Sequence, residues 1–316
     1  MFGKSNYGQC GVAPKAMTGI EKVFEYMGMG NNNQSTVSTP VKVNLSNVVK
    51  VSCGMWHTCA ITEDGKLYSW GWGHALGHKN IKRGRVVAEI VDVSCGERHT
   101  LMLTQDGRPF ACGEGQHGRL GTGYIRTHKT PVFLEFFTQI KAKRVFAAKE
   151  FSFVLSQDGI PFGFGRNERI QLGTGGNLAA DIYSCDSTPG EVSVDRIVDM
   201  SLSSNDVLCV DDEGNVYNWG DRVYLEPTKI NEERFQDEKP SGKIIQTAVG
   251  NSFMMFLTDK GELFSCNKKT GIQSDIYTLG HGATNPFRIA KRVQALRSEF
   301  VVKVSASDTR VAVIVR

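Results

Sequence analysis

Apolar and small residues recur along the chain in short runs that predict β-strands. The clearest run extends from Val93 to Leu103 and has the composition of a buried strand. It is followed by Asp106 and Gly107, a pair typical of a tight hairpin turn because glycine adopts a positive φ without steric cost. A second strand-like run occupies 109–113. The pattern predicts a unit of strand, loop, strand, tight turn and strand.

The same unit occurs five times, and its turn glycines measure the length of the repeat. These glycines are 42 to 55 residues apart, and they are Gly65, Gly107, Gly159, Gly214 and Gly261. A period of about 50 residues with several short strands per unit is typical of radial or stacked repeat folds.

The two chain ends carry complementary halves of the unit. The run 304–314 has the form of a first half, whereas 2–11 has the form of a second half. Five whole units and one split unit predict an all-β fold, a β-propeller of six blades closed by a blade shared between the N- and C-termini. Such closure removes exposed sheet edges, which favour aggregation. We expect residues 1–316 to form a single propeller domain with an insertion at 12–36.

The motif Ser-Cys-Gly-x-x-His-Thr, the Asp-Gly turn and the aromatic-Gly pair together resemble the regulator-of-chromosome-condensation repeat. The segment 93–103 fits that signature at every position, and 51–61 deviates only at Cys59. The resemblance implies a β-propeller of seven blades, so seven is the alternative to the six counted here. In the later units the expected histidine is replaced, and the residues interpreted as its replacements are Ser152, Asp206, Phe253 and Arg310.

Composition and charge narrow the class of protein. Hydrophobic residues make up 40% of the chain and glycine occurs 34 times, which suits many short strands and turns. The net charge of +4 is mild, so nucleic acid is not expected as a partner. No signal-like segment is visible and no apolar run reaches the roughly 18 residues of a membrane span, so we expect a cytoplasmic or nuclear location.

The eight cysteines lie mostly at repeat positions, where a small strand residue is needed. No C-x-x-C pair occurs among them. We therefore interpret them as buried reduced thiols rather than as disulfides or metal ligands.

The sequence offers no catalytic site. His57 and His99 recur at the same position of the repeat, which favours a packing role between blades over catalysis. The turn aspartates Asp64, Asp106 and Asp158 suit backbone geometry. No nucleophile elbow, H-E-x-x-H motif or phosphate-binding glycine loop is present. We expect a non-enzymatic protein without cofactor or metal.

A candidate partner-binding surface lies in the loops that join the first two strands of each unit. Two residues separate the glycine-like and histidine-like positions, and all these pairs should emerge on one face. Their residue types do not repeat, and several are types enriched at interface hot spots. Ordinary loop variation is the alternative explanation. The candidates are Met55, Trp56, Glu97, Arg98, Glu150, Phe151, Ser204, Asn205, Asn251 and Asp308.

Three functions are compatible with these observations. The first is a protein-interaction module that binds another protein through one propeller face. The second, implied by the resemblance, is a guanine-nucleotide exchange factor for a Ran-like small GTPase. Exchange requires a protruding wedge, and neither loop 176–195 nor loop 12–36 has a convincing hairpin pattern. The third is chromatin binding, for which the founding member uses a basic N-terminal tail, whereas this chain begins within a strand-like run.

Overall fold

The computed structural model describes the chain in several ranges, and within them it is built almost entirely of β-strands. The described residues are 3–4, 36–37, 42–77, 89–175, 184–268, 279–282 and 288–316. The predicted insertion 12–36 lies outside these ranges except for Thr36, and so does most of the N-terminal half-unit 2–11.

The first part of the chain contains strands β1 to β12. Their bounds are β1 (Gly3–Lys4), β2 (Thr36–Val37), β3 (Val48–Cys53), β4 (His57–Thr62), β5 (Leu67–Gly71), β6 (Ile90–Cys95), β7 (His99–Thr104), β8 (Pro109–Gly113), β9 (His128–Phe133), β10 (Ala142–Ala147), β11 (Phe151–Ser156) and β12 (Pro161–Arg166). Short 3-10 helices lie at Gly73–Ala75, Gln116–Gly118 and Glu135–Thr138.

The remaining part contains strands β13 to β23. Their bounds are β13 (Cys185–Glu191), β14 (Ile197–Leu202), β15 (Asp206–Asp211), β16 (Val216–Gly220), β17 (Tyr224–Lys229), β18 (Ile244–Val249), β19 (Phe253–Thr258), β20 (Leu263–Asn267), β21 (Lys291–Arg292), β22 (Val301–Ala306) and β23 (Val311–Val315). Two further 3-10 helices lie at Glu232–Phe235 and Gln294–Leu296.

The strands form sheets in which spatial order follows chain order, as in propeller blades. Five sheets have three or four strands, in the orders β3-β4-β5, β6-β7-β8-β9, β10-β11-β12-β13, β14-β15-β16-β17 and β18-β19-β20-β21. The all-β propeller fold is thereby confirmed, with five blades in the described residues.

The sixth blade and its closure are not confirmed. Strands β22 and β23 form a two-stranded sheet, and β1 pairs with β2. Met1 and Phe2, which the predicted closure also involves, lie outside the described residues. Closure by a shared blade stays a prediction.

The described chain divides into two compact units. The first comprises Met1–Ser156 and Cys185–Pro189, and the second comprises Gln157–Ser184 and Gly190–Arg316. The expectation of a single domain stays a prediction. A buried cluster in the first unit consists of Cys59, Ile61, Leu67, Ile90, Val93, Cys95, Met102 and Cys112.

The second unit has an aromatic core between neighbouring sheets. Phe235 contacts Phe256 and Phe264 edge-on, with ring centroids 5.2 and 5.9 Å apart. All three side chains are buried. Edge-to-face contacts of this kind add to the free energy gained by removing the rings from water.

The five predicted turn glycines are confirmed. Each has a φ between 70° and 89°, a region that favours glycine. These turns also join neighbouring sheets, because the carbonyl of Gly65 accepts a hydrogen bond from Ile90 N and that of Gly107 accepts one from Ala142 N, both at 2.9 Å. The same bond recurs within the second unit.

Side chains of one first strand satisfy the backbone of the next first strand. Strand β10 lies at the edge of its sheet, so its outward N–H groups have no strand partner. Asp92 of β6 accepts a hydrogen bond from Val145 N at 3.1 Å, and Ser94 Oγ accepts one from Ala147 N at 2.8 Å. The buried donors are therefore paired without a ladder between the two sheets.

The second unit uses the same arrangement with other residues. Asp199 of β14 accepts from Thr247 N at 3.3 Å, and Gln246 Oε1 of β18 accepts from Val304 N at 3.0 Å. Asp199 and Gln246 each follow a β-bulge at the corresponding place of their hairpins, as Asp92 does. The bulge is thus a repeated feature that accompanies the acceptor.

We expect Asp92→Ala to destabilise the protein. The substitution leaves the buried Val145 N–H and the partly buried Lys50 ammonium without their acceptor. An unsatisfied buried group costs about 1–3 kcal/mol, so the free energy of unfolding in urea should fall by that amount. Asp106→Asn is the matched control, because Asn-Gly forms the same turn as Asp-Gly. Equal stabilities of the two variants would contradict this role of Asp92.

Candidate functional site

The loop between the first two strands of each sheet is a tight two-residue turn. In the first unit, Gly54 N donates to His57 O, Gly96 N to His99 O, and Ala148 N to Phe151 O, each at 2.9 Å. Corresponding bonds close the turns of the second unit. The residues at the turn tips are 55–56, 97–98, 149–150, 204–205, 251–252 and 308–309.

The turn between β10 and β11 corrects the predicted register of the third sequence repeat. Phe151, not Ser152, stands at the histidine position, because its carbonyl closes the turn as those of His57 and His99 do. Phe151 is 0% exposed, so it belongs to the core and not to the candidate surface. The turn tip is formed by Lys149 and Glu150 instead.

The two repeat histidines link neighbouring sheets, as predicted. His57 Nε2 lies 2.8 Å from Thr100 Oγ1, whose hydroxyl donates to Ala75 O at 2.7 Å. His99 Nε2 lies 2.8 Å from Ser152 Oγ, and that hydroxyl likewise donates to a backbone carbonyl. Because each hydroxyl hydrogen is already committed to a carbonyl, the ring Nε2–H must be the donor. The partner of each ring is therefore a side-chain hydroxyl of the next sheet.

His99 is held in its neutral form. Its ring is fully buried, and burial lowers the pKa well below 6.5, with additional lowering by the positive charge of Arg119. A buried imidazole in this state donates one hydrogen bond without a net charge, which suits the contact with Ser152.

In the second unit an ion pair occupies the corresponding place. Asp206 pairs with Lys268, and their side chains are 9% and 7% exposed. Ser203 Oγ donates to Asp206 Oδ2 at 3.0 Å. Phe253, at the same position of the next sheet, is fully buried. The position is therefore a structural link whose chemistry varies from sheet to sheet.

An aromatic cluster lies beside the turns of the first unit. Trp72 N donates to Trp56 O at 2.8 Å, which places Trp72 next to the first turn. The Arg98 guanidinium carbon lies 5.7 Å from the centroid of the Trp72 ring, and the His74 ring lies 4.6 Å from it. Met55 is 57% exposed. We call these five residues the Trp72 cluster.

Acidic residues border the Trp72 cluster. Arg98 lies 3.2 Å from Glu114 and 3.7 Å from Glu97. Glu150 Oε1 lies 3.2 Å from the buried guanidinium of Arg119 and 3.7 Å from His117 Nε2. Glu97 and Glu114 are thus paired with Arg98 of the cluster, whereas Glu150 is paired with Arg119 and His117.

The turns of the second unit are polar and bind to one another. Ser204 Oγ donates to Asp308 Oδ1 at 3.1 Å, and Asn251 N donates to Asp308 O at 2.9 Å. Asn205 and Ser252 complete this set of short polar tips. The aromatic and arginine side chains at the turns therefore lie in the first unit only, within the described residues.

The sequence prediction missed Trp72, His74, Glu114 and His117. They follow the glycine that ends the third strand of their sheets, as Trp72 follows Gly71 and Glu114 follows Gly113. Residues after this glycine can be added to the candidate surface from the sequence alone. The third strand ends beside the turn that joins the first two strands, as the bonds from Trp72 N to Trp56 O and from Glu114 N to Arg98 O show.

Comparison with known proteins identifies repeats of a known type. The regulator of chromosome condensation (RCC1) repeat matches residues 48–75 and 90–119 in one family model, and residues 25–61 and 106–155 in another. The matched parts of the chain are therefore similar to RCC1 repeats.

RCC1-type proteins are also found among the relatives and solved structures. Ultraviolet-B receptor UVR8 of Arabidopsis thaliana is 30% identical over 209 residues, which cover 61% of this chain and 46% of UVR8. Human WBSCR16 has a similar structure, with a TM-score of 0.75 and 21% identity over 100% of this chain and 81% of that chain. Prp20p of Saccharomyces cerevisiae also has a similar structure, with a TM-score of 0.67 and 18% identity. The match covers 84% of this chain and 68% of the Prp20p chain. The match to UVR8 thus spans less than half of that relative.

The helices in the described part of the chain are short 3-10 turns. None of the helices found there has the length and hydrophobicity to cross a bilayer.

We expect His99 to make stability depend on pH. In the unfolded chain the ring binds a proton below about pH 6.5, whereas in the folded protein its lowered pKa prevents this. The unfolded state therefore binds more protons, and the free energy of unfolding decreases as pH falls, by about 1.4 kcal/mol one unit below the unfolded pKa.

His99→Gln tests this, because glutamine can still donate to Ser152 but does not titrate. Urea unfolding of both proteins at about pH 7.5 and about pH 5.5 should show a smaller loss of stability in the variant, by about 1.4 kcal/mol. An identical loss in both proteins would contradict the assignment of a neutral buried ring.

Proposed function

We propose that this chain is a non-enzymatic protein-binding module whose partner contacts the Trp72 cluster. The observation that carries the proposal is the position of the Arg98 guanidinium over the Trp72 ring, next to the turn that contains the exposed residue Met55. Tryptophan, arginine and methionine are enriched in the centres of protein interfaces, where they supply most of the binding energy. The RCC1-type propellers similar to this chain support an interaction role.

The surroundings of the cluster suit a protein partner. A binding centre is commonly bordered by polar groups that exclude water, and Glu97, Glu114 and Glu150 stand in such a border. Because these carboxylates are already paired with arginine or histidine, the border presents both signs of charge. A partner with a central apolar or aromatic side chain and a mixed polar rim would match it.

The second candidate is nucleotide exchange on a Ran-like small GTPase. The structure of Prp20p, which has a similar fold, is described together with its binding properties to Gsp1p and histones. Of the two loops considered as wedges, 12–35 and 176–183 lie outside the described residues. The described part of loop 176–195 contains β13, a sheet strand, which leaves it little freedom to act as a wedge.

Chromatin binding ranks third. Its support is the similar fold of Prp20p, whose structure is described together with its binding to histones. The turns of the second unit carry Asp308 and neutral side chains, and the first-unit turns carry paired acids. These surfaces lack the concentrated positive charge that attracts a phosphate backbone.

We expect a Met55→Glu, Arg98→Gln double variant to lose partner binding. Both side chains are exposed enough to contact a partner, with Met55 57% and the Arg98 side chain 42% exposed, so the fold should tolerate the changes. The wild-type protein would be used to capture a partner, which is identified and purified before affinities are measured. Loss of a hot spot costs about 2 kcal/mol or more, close to thirtyfold in Kd.

The matched control is Asn251→Ala, Ser204→Ala, which changes the corresponding turns of the second unit. It should retain wild-type affinity, and both variants should melt within a few degrees of the wild type. Trp56→Ala, Arg98→Ala tests the same surface by truncation. Loss of affinity in the second-unit variant with full affinity in the first-unit variant would overturn the proposed surface.

We expect little or no exchange activity. Release of a fluorescent guanine nucleotide from a purified Ran-like GTPase would be followed with catalytic amounts of this protein, and Prp20p would serve as the comparison. The absence of a free hairpin in the described part of loop 176–195 is the physical reason for this expectation. Acceleration by several hundredfold would replace the first candidate with the second.

A further inference from the structure

An imidazole and two thiols meet in the core of the first unit. A ring nitrogen of His57 and the sulfurs of Cys59 and Cys95 all lie within 4.8 Å of one another. Their exposures are 0%, 1% and 7%, so the group is closed to bulk water. No carboxylate belongs to the group.

The strand geometry explains why these side chains converge. His57 and Cys59 lie two residues apart in β4, so both side chains leave the same face of the sheet. Cys95 is the last residue of β6 in the next sheet, and its backbone N donates to Ser52 Oγ at 2.9 Å. That bond fixes the end of β6 against β3 and brings the Cys95 sulfur to the other two groups.

The His57 ring is oriented as in a histidine that binds metal. Its Nε2–H donates to Thr100 Oγ1, which is itself anchored on Ala75 O. Nδ1 therefore carries the lone pair, and this buried atom has no hydrogen-bond partner among the described residues. Metal-binding histidines typically donate their second ring nitrogen to an oxygen in this way, which fixes the tautomer.

The neighbouring contact between sheets shows that the fold does not require the thiols. His99 makes the same hydrogen bond to Ser152, yet Leu101 stands where Cys59 does and Ala147 stands where Cys95 does. The Nδ1 atom of His99 also lacks a hydrogen-bond partner among the described residues, but no thiol accompanies it. The two cysteines are therefore an addition to the repeated link between sheets.

We propose that His57, Cys59 and Cys95 form a binding site for a zinc ion between the first two sheets of the unit. Two thiols release their protons on binding, and the resulting two thiolates balance the charge of Zn²⁺, so no net charge is buried. Nitrogen and sulfur donors without carboxylates favour zinc over magnesium or calcium.

The test measures zinc in the full chain. Protein refolded in the presence of zinc and reductant is passed through gel filtration and analysed by mass spectrometry for metal content. We expect about one zinc ion per wild-type chain. Cys59→Leu, which copies Leu101, and the double variant Cys59→Leu, Cys95→Ala, which copies the complete His99 contact, should contain almost none.

Two further measurements separate a site from nonspecific binding. Cys209→Ala removes a buried thiol of the second unit and should retain the wild-type zinc content. Co²⁺ in place of zinc should give thiolate-to-cobalt charge-transfer absorption in the wild type and in Cys209→Ala, and none in the double variant. Zinc should also raise the Tm of the wild type but not that of the double variant.

Three outcomes would overturn the site. The first is a wild-type zinc content no higher than that of the folded double variant, and the second is the absence of the cobalt absorption. The third is a disulfide between Cys59 and Cys95, detected by mass spectrometry without reductant in protein prepared with zinc. The variants carry the residues that the fold already accommodates at the His99 contact, so we expect them to fold. Loss of zinc can then be distinguished from loss of structure.

Discussion

The structure depends on supplying acceptors for the outward N–H groups of each first strand. A first strand has a strand neighbour on one side only, and its other edge faces the preceding sheet. Buried donors there would cost free energy if they stayed unpaired. Asp92 and Ser94 meet this need in the first unit, and Asp199 and Gln246 meet it in the second. The glycine turns and the histidine position strengthen the same junctions.

The histidine position shows how one junction can be built with different chemistry. His99 donates a hydrogen bond, Phe253 fills space, and Asp206 forms an ion pair with Lys268. The ion pair contributes little net stability where both charges lose their water, but removal of one partner would leave a buried charge. Packing, hydrogen bonding and pairing of charges are thus interchangeable at this place, provided that nothing polar is left unsatisfied.

The sequence predicts the strands and turns well because local residues determine them. Asp-Gly pairs require no distant partner, so Gly65 and Gly107 could be placed without a structure. The predicted register of the third sequence repeat was wrong because Ala148 stands in place of the glycine before the turn and Phe151 stands in place of the histidine after it. The partners of the candidate surface were also hidden, since Trp72 and Arg98 belong to different sheets and only the fold brings them together. The convergence of Cys59 with Cys95 escaped spacing rules for the same reason.

The direction of the hydrogen bonds between repeats affects how readily a repeat can be duplicated. At each of these junctions the earlier repeat provides the side-chain acceptor and the later repeat provides the backbone donor. The donor is a backbone N–H, which every repeat has. A duplicated repeat therefore needs no new side chain to bond to the repeat before it, and it carries its own acceptor for the repeat that follows. Duplication of a repeat that carries this acceptor can therefore preserve the bonds on both of its sides.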